Sequence, residues 1–202
     1  SIATTLNDEE ERPFVWVNAD KDRYSKLVNM EIMFPINVLS YKRANKNGRT
    51  HLLLTKMKIH HFLFIEPQEE EAYSKWYSPD YCNLVVCPEN FSERKMGSTP
   101  VRNYILDYHK DDGDYVWMLD DNIKDYIRLL GGKKRKIYSD VIFTSVEDYV
   151  WRRCENIGIA SHNFSPCLAG GDFRQVISLN TKCYSSLLIN TKANLRFRHK
   201  HQ

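Results

Sequence analysis

Apolar runs of strand length alternate with stretches of helical character through the middle of the chain. Ile36-Asn37-Val38-Leu39, His61-Phe62-Leu63-Phe64-Ile65, Asn83-Leu84-Val85-Val86-Cys87 and Tyr115-Val116-Trp117-Met118-Leu119 are four such runs. Between them, Thr50 to Met57 suits a helix after the Asn47-Gly48 turn signal, and Pro67 opens a helix with Glu69, Glu70 and Glu71 in its first turn. Thr99-Pro100 reads as an N-cap followed by proline, starting a third helix through Val101, Tyr104, Ile105 and Tyr108. Strands and helices in that rhythm predict βαβ units, hence a mainly parallel sheet with helices on its faces.

After Asn122 the rhythm changes. Asp125 to Leu130 reads as a strand, Gly131-Gly132-Lys133-Lys134-Arg135-Lys136 as a basic loop, and Thr144 with Glu147 as the capping box of a helix running to Asn156. Gln175 to Leu179 and Cys183 to Ile189 read as short strands, which makes this half mixed or antiparallel. Before Pro35, Phe14 to Val17 suits a strand, the acidic lead Ser1 to Glu11 suits disorder, and no clean period appears. The predicted organisation is an N-terminal extension, 1–34, and one α/β domain, 35–202. Within it, 35–122 forms a Rossmann-type nucleotide-binding half and 123–202 an acceptor half.

Composition narrows the classes. A chain of 202 residues, 42% of them hydrophobic, is long enough for one sizeable α/β core and too short for two comfortable ones. With 29 basic and 26 acidic side chains, the net charge of +3 allows a nucleic-acid partner without arguing for one. The five cysteines are odd in number and contain no CxxC pair, which speaks for reduced thiols and against a disulfide frame or a cysteine zinc site. No apolar run reaches the roughly 18 residues of a membrane span, so the expectation is a soluble protein of the cytoplasm or nucleus with no membrane partner.

The chemistry gathers at the end of the fourth apolar run, which drives into Asp120-Asp121-Asn122. Open α/β sheets bind ligands outside the carboxyl ends of their strands. Two carboxylates and an amide there are oxygen ligands of the kind Mn2+ or Mg2+ takes, with Asn122 a weaker, neutral member. The same residues also suit an acidic turn that caps a strand. Two loops point toward a nucleotide. In Ser40-Tyr41-Lys42-Arg43, Tyr41 suits stacking on a base and Arg43 a fork onto phosphate, against the plainer reading of a charged turn. Gly97 leads into the amino end of a helix carrying Arg102, an arrangement that suits anions and is common in itself.

Gly97 with Arg102-Asn103-Tyr104-Ile105, followed by Tyr115 to Asn122, resembles the signature of the glycosyltransferases associated with TET/JBP-type oxygenases, a group with phage enzymes and the base J glucosyltransferase among its members. The likeness covers roughly Ile36 to Leu195 in order of elements and is specific over Gly97 to Asn122. It implies a GT-A fold, a nucleotide-sugar donor such as a UDP-sugar, a divalent metal, and transfer to the hydroxymethyl group of a modified pyrimidine in DNA. By the same resemblance, Ser40, Tyr41 and Arg43 belong to the donor-nucleotide loop. Gly97 and Arg102 lie near the diphosphate or sugar, and Asp120 and Asp121 lie at the metal and ribose.

The chain departs from that pattern in two places. Asn122 leaves the carboxylate triplet incomplete. The late acidic pair usual in such folds has not appeared when the chain stops at His199-Lys200-His201-Gln202, so a continuation beyond Gln202 or a segment missing before it is expected. Asp172, on the glycine loop Ala169 to Phe173, is the candidate catalytic base, against the commoner use of such an aspartate as a turn former. His162, His199 and His201 are candidate metal or phosphate groups, against the commoner reading of a surface or satisfied side chain. Lys133, Lys134, Arg135 and Lys136, with the basic end Arg196 to Lys200, suit DNA phosphates and equally a solvated surface. A protein- or glycan-directed glycosyltransferase, a nucleotidyltransferase and a degenerate interaction module remain the alternatives.

Overall fold

A computed structural model describes residues 2–3, 16–17, 31–44, 49–130, 133–153, 157–162 and 182–198. Contacts divide the chain into two compact units, each discontinuous in sequence: Phe34–Lys124 with Gly158–Ser161 and Ser185–Gln202, and Ser1–Met33 with Asp125–Ile157 and His162–Tyr184.

The first unit is built on a six-stranded sheet. Its strands are β1 (Ile36–Leu39), β2 (His61–Ile65), β3 (Cys82–Val86), β4 (Tyr115–Asp120), β7 (Ile159–Ser161) and β8 (Ser186–Asn190), with β5 (Tyr126–Leu130) and β6 (Lys133–Ile137) in the other unit. The order across the sheet is β3-β2-β1-β4-β8-β7. The first four pair in parallel, and β8 runs antiparallel to both β4 and β7. The helices joining the parallel strands are α1 (Arg49–Lys56), α2 (Glu70–Ser74, led by the 3-10 turn Pro67–Glu69) and α3 (Thr99–Tyr108). The chain therefore moves outward from β1 to β3 and then crosses back to lay β4 on the other side of β1. The gap between the ends of β1 and β4 is the topological switch point of the sheet.

Pleat alternation decides which helix each face meets. Asn37, Phe62 and Met118 share one row, and Leu39, Phe64 and Asp120 the next. Both rows face α3, because Phe64 meets the rings of Tyr104 and Tyr108 edge-on at 6.1 and 5.3 Å. A polar side chain in the middle of this core is Asn37, fully buried in β1. It donates to Pro35 O at 3.2 Å and Trp117 O at 2.9 Å and accepts from His109 Nε2 at 2.6 Å, so every polar atom of its amide is used. Trp117, Met118, Leu119, Leu63, Ile105 and Leu188 complete the buried centre.

The second unit contains the antiparallel hairpin β5 (Tyr126–Leu130) and β6 (Lys133–Ile137), the helix α4 (Val141–Arg153), and a two-residue pairing of Ile2–Ala3 with Trp16–Val17. Two expectations change here. The basic stretch Lys133 to Lys136 is a strand rather than a loop, because its end residue Ile137 pairs with Tyr126 and both are buried. The helix begins at Val141 rather than after Thr144. Val141, Ile142 and Phe143 are buried, and the amides of Phe143 and Thr144 return to Asp140 O. Thr144 and Glu147 are consequently interior residues, and Glu147 accepts from Met33 N at 2.9 Å.

Smaller shifts occur at the ends of other elements. Ser98, not Thr99, is the N-cap of α3, and the last strand runs from Ser186 to Asn190. The expected strand Gln175 to Leu179 and the Asn47-Gly48 turn lie outside the described residues. Cys82 and Cys87 are free thiols, and burial pushes both up to about 12, which leaves them unreactive. No helix among the described residues is long and apolar enough to cross a membrane.

Candidate functional site

Two strand ends and the helices beside them build the site. Asp120, the last residue of β4, lies in the row that faces α3, and there it forms an ion pair with Arg102. Arg102 is held from three sides. Its Nε donates to Ser98 Oγ at 3.2 Å, its guanidinium lies 5.2 Å from the ring centre of Phe197, and its side chain is only 14% exposed. Phe197 is fixed in turn by reciprocal hydrogen bonds with the Asn103 side chain at 2.9 and 3.1 Å. The basic end of the chain thus spends Phe197 on α3, and Arg196 pairs with Asp107 at 2.5 Å.

Asp121 turns the other way. Its Oδ1 meets Arg43 Nε at 3.0 Å, and its Oδ2 accepts from Ser40 Oγ at 3.3 Å and Tyr41 N at 3.2 Å. Burial pushes its carboxyl upward in pKa, opposed by the Tyr41 amide, the Arg43 charge and the Ser40 hydroxyl. Behind it stands a chain of donors. Arg43 N donates to Tyr73 OH at 3.1 Å, Tyr73 OH shares a hydrogen 2.6 Å from Ser40 Oγ, and Ser40 reaches Asp121. The turn after β4 is pinned from below by buried Thr50, whose hydroxyl donates to Asp120 O at 2.5 Å and accepts from Ile123 N at 3.0 Å.

The structure therefore brings Ser40, Tyr41, Arg43, Arg102, Asp120 and Asp121 to one sheet edge, at the switch point. Gly97 sits in the turn before α3, exposed and left-handed at φ +60°, with open space around its Cα. Asn122 is exposed in the turn after β4. Asp172, His199 and His201 lie outside the described residues. His162 is a packing residue in the second unit, its ring edge-on to Tyr126 and Phe143 at 5.1 and 5.7 Å, with Nε2 2.8 Å from Ile142 O. Lys133, Lys134, Arg135 and Lys136 are exposed along β6, with Lys136 paired to Asp125 at 2.9 Å.

Sequence reasoning passed over Glu69, Tyr73 and Thr50, all buried and all hydrogen-bonded to this edge. Their only sequence signal is position: each lies just after β2 or on the helices that follow β1 and β2, where side chains can reach the carboxyl ends. Glu69 in particular is not a solvent-facing partner of a helix dipole, because its Oε1 accepts from Lys42 N at 2.6 Å.

The fit of a divalent cation can be judged from the donors. Asp120 and Asp121 diverge, and each faces an arginine. No group of three or more His, Cys, Asp or Glu among the described residues is placed to hold a metal. The described side chains alone do not make a cation cage, and two guanidinium groups bring fixed positive charge to this edge.

The model of the family described as TET-Associated Glycosyltransferase matches residues 34–201. No curated protein and no solved structure matches the chain. The family's span takes in the whole sheet and both strand ends, and the mostly parallel six-stranded sheet with its flanking helices is the α/β frame of a Rossmann-like glycosyltransferase. By that match, the chain belongs to the TET-associated glycosyltransferase family.

Proposed function

We propose that the shared edge of β1 and β4 holds the diphosphate of a nucleotide sugar, and that the sugar passes to the hydroxymethyl group of a modified pyrimidine in DNA. One observation carries the reading: Arg43 and Arg102 stand at adjacent strand ends at the switch point, each paired with its own aspartate. In the reaction the acceptor oxygen bonds to the anomeric carbon, and the bond from that carbon to the diphosphate breaks. The electron pair leaves with the nucleoside diphosphate, and the acceptor proton passes to a base, for which Asp172 is the proposed residue. Guanidinium groups match the growing charge on the leaving oxygen through paired N–H donors. Tyr41, 40% exposed, offers its ring to the base. Mn2+ or Mg2+ would meet the Asp120–Asn122 turn, in competition with the arginines, so the charge stabilisation assigned here belongs to Arg43 and Arg102.

The hairpin of β5 and β6 supports DNA as the acceptor. Residues 126–137 carry Arg128, Lys133, Lys134, Arg135 and Lys136 and no acidic residue, and the register sets Arg128 opposite Arg135. A two-stranded ribbon of that charge fits a groove of duplex DNA and its phosphates.

The test is incubation with candidate UDP-sugars and hydroxymethylated DNA, with Mn2+ and with EDTA, followed by digestion to nucleosides and mass measurement. A glycosylated nucleoside is the expected product, and sugar found only on protein or glycan overturns the DNA reading. An interaction module is the second reading, favoured by the closure of both carboxylates in ion pairs. It predicts no nucleotide binding under either condition.

A further inference from the structure

The loop from Ser40 to Arg43 has an unusual hydrogen-bond pattern. Four successive backbone N–H groups are taken by acceptors from four other places. Ser40 N goes to Phe64 O at 3.0 Å, Tyr41 N to Asp121 Oδ2 at 3.2 Å, Lys42 N to Glu69 Oε1 at 2.6 Å, and Arg43 N to Tyr73 OH at 3.1 Å. Phosphate-binding loops do the opposite and turn consecutive amides toward the ligand. Here the loop gives a ligand no amide. It presents the Tyr41 ring and the Arg43 guanidinium instead.

The grip on Lys42 stands out. Lys42 is left-handed at φ +55°, a conformation that disfavours a residue with a Cβ. Glu69, the residue holding it, is buried, and its second oxygen has no hydrogen-bond partner. A half-satisfied buried carboxylate costs folding free energy. We infer that Glu69 is a positioning residue. By capturing the Lys42 amide it holds the loop in its left-handed turn and so aims Tyr41 and Arg43 outward for the nucleotide. Glu69 and Tyr73 stand one helical turn apart and grip adjacent amides of the loop. This role rests on the nucleotide reading of the same edge.

Calorimetry on the full chain with UDP, and with GDP, CDP, ADP and dTDP as the rest of a panel, tests it. Glu69→Ala should weaken the nucleotide that binds by about tenfold, the value of one lost charge-assisted hydrogen bond. Glu69→Gln keeps an acceptor oxygen and should stay close to the parent. Adding Lys42→Gly to Glu69→Ala should recover part of the loss, because glycine takes the left-handed turn without help. Circular dichroism confirms that each variant is folded at the assay temperature. Equal affinity of parent and Glu69→Ala overturns the positioning role alone. A loss that neither Gln nor the Lys42→Gly addition moderates also overturns it, since Glu69 would then act only through general stability. If the parent binds none of the panel, the nucleotide reading falls and the role falls with it.

Discussion

Ser40 and Asp121 are 81 residues apart in sequence and 3.3 Å apart in space. That contact joins the ends of β1 and β4, neighbours in the sheet because the chain crosses back over β1 after β3. The hydroxyl links two halves of one polar network. On one side lie Tyr73, Glu69 and the loop amides, on the other Asp121 and Arg43. Arg102 and Asp120 form the second half of the edge from the opposite face of the sheet.

Asp121→Ala is expected to abolish sugar transfer and leave the fold intact. It removes the acceptor of the Tyr41 amide and Ser40 hydroxyl and frees Arg43 to swing. Nucleoside analysis of the treated DNA, beside far-ultraviolet circular dichroism, checks it. Full activity with metal present would remove Asp121 from the site.

Arg102→Ala should weaken nucleoside diphosphate binding by about 10–100-fold, the range for a charge-assisted hydrogen bond. Arg102→Lys should recover only part of this, because an ammonium lacks the planar fork that spans Asp120, Ser98 and phosphate. Calorimetric titration of the two variants decides it, and equal binding by Lys and Arg would contradict the forked contact.

Thr50→Val should lower stability by about 1–3 kcal/mol, since it deletes a buried hydroxyl that is donor to Asp120 O and acceptor from Ile123 N. Urea unfolding measures the difference. A change below a few tenths would mean that the turn after β4 does not depend on Thr50.

Acid should act on binding and on stability through different groups. Burial pushes Asp121 and Glu69 upward, Asp121 facing Arg43, Ser40 and Asp120, and Glu69 facing Lys42, Glu66 and Asp121. As pH falls through its raised value Asp121 loses the charge that faces Arg43, so nucleotide affinity should fall, whereas protonated Glu69 keeps a carbonyl acceptor for the Lys42 amide. Because the folded state takes up these protons more readily than the unfolded one, the two carboxyls do not drive acid unfolding. His51 and His61 do. Burial lowers both to about 4, so the unfolded chain binds their protons first, and stability present above pH 6.5 is lost as pH falls toward 4. Each accounts for at most roughly 3 kcal/mol. Urea midpoints at pH 7 and pH 5 test the sign, and a higher midpoint at pH 5 would contradict it.

Lys133→Ala and Lys134→Ala should each lower the slope of log affinity for duplex DNA against log salt by about 0.9 if the hairpin meets phosphates. Both side chains are exposed, so the urea midpoint should stay put. Slopes equal to the parent's would mark the hairpin as a solvated surface.

The four parallel strands and the three helices between them were legible in the chain, because apolar period and turn residues are local signals that burial enforces. The place of Asp120 and Asp121 at the sheet edge was legible for the same reason: a buried strand has to end, and its end points at the ligand edge of such a sheet. The positions of β7 and β8 in the sheet were not. Only the tertiary structure decided that Ser186 to Asn190 closes the free edge of β4, since strand pairing joins residues with no local trace of one another. Tertiary structure also decided the electrostatics. Alternation sends adjacent aspartates to opposite faces, and the helices met there supply Arg102 to one while the loop after β1 supplies Arg43 to the other. Glu69, Tyr73 and Thr50 belong to the edge through burial and distance alone, so no spacing in the sequence could have marked them.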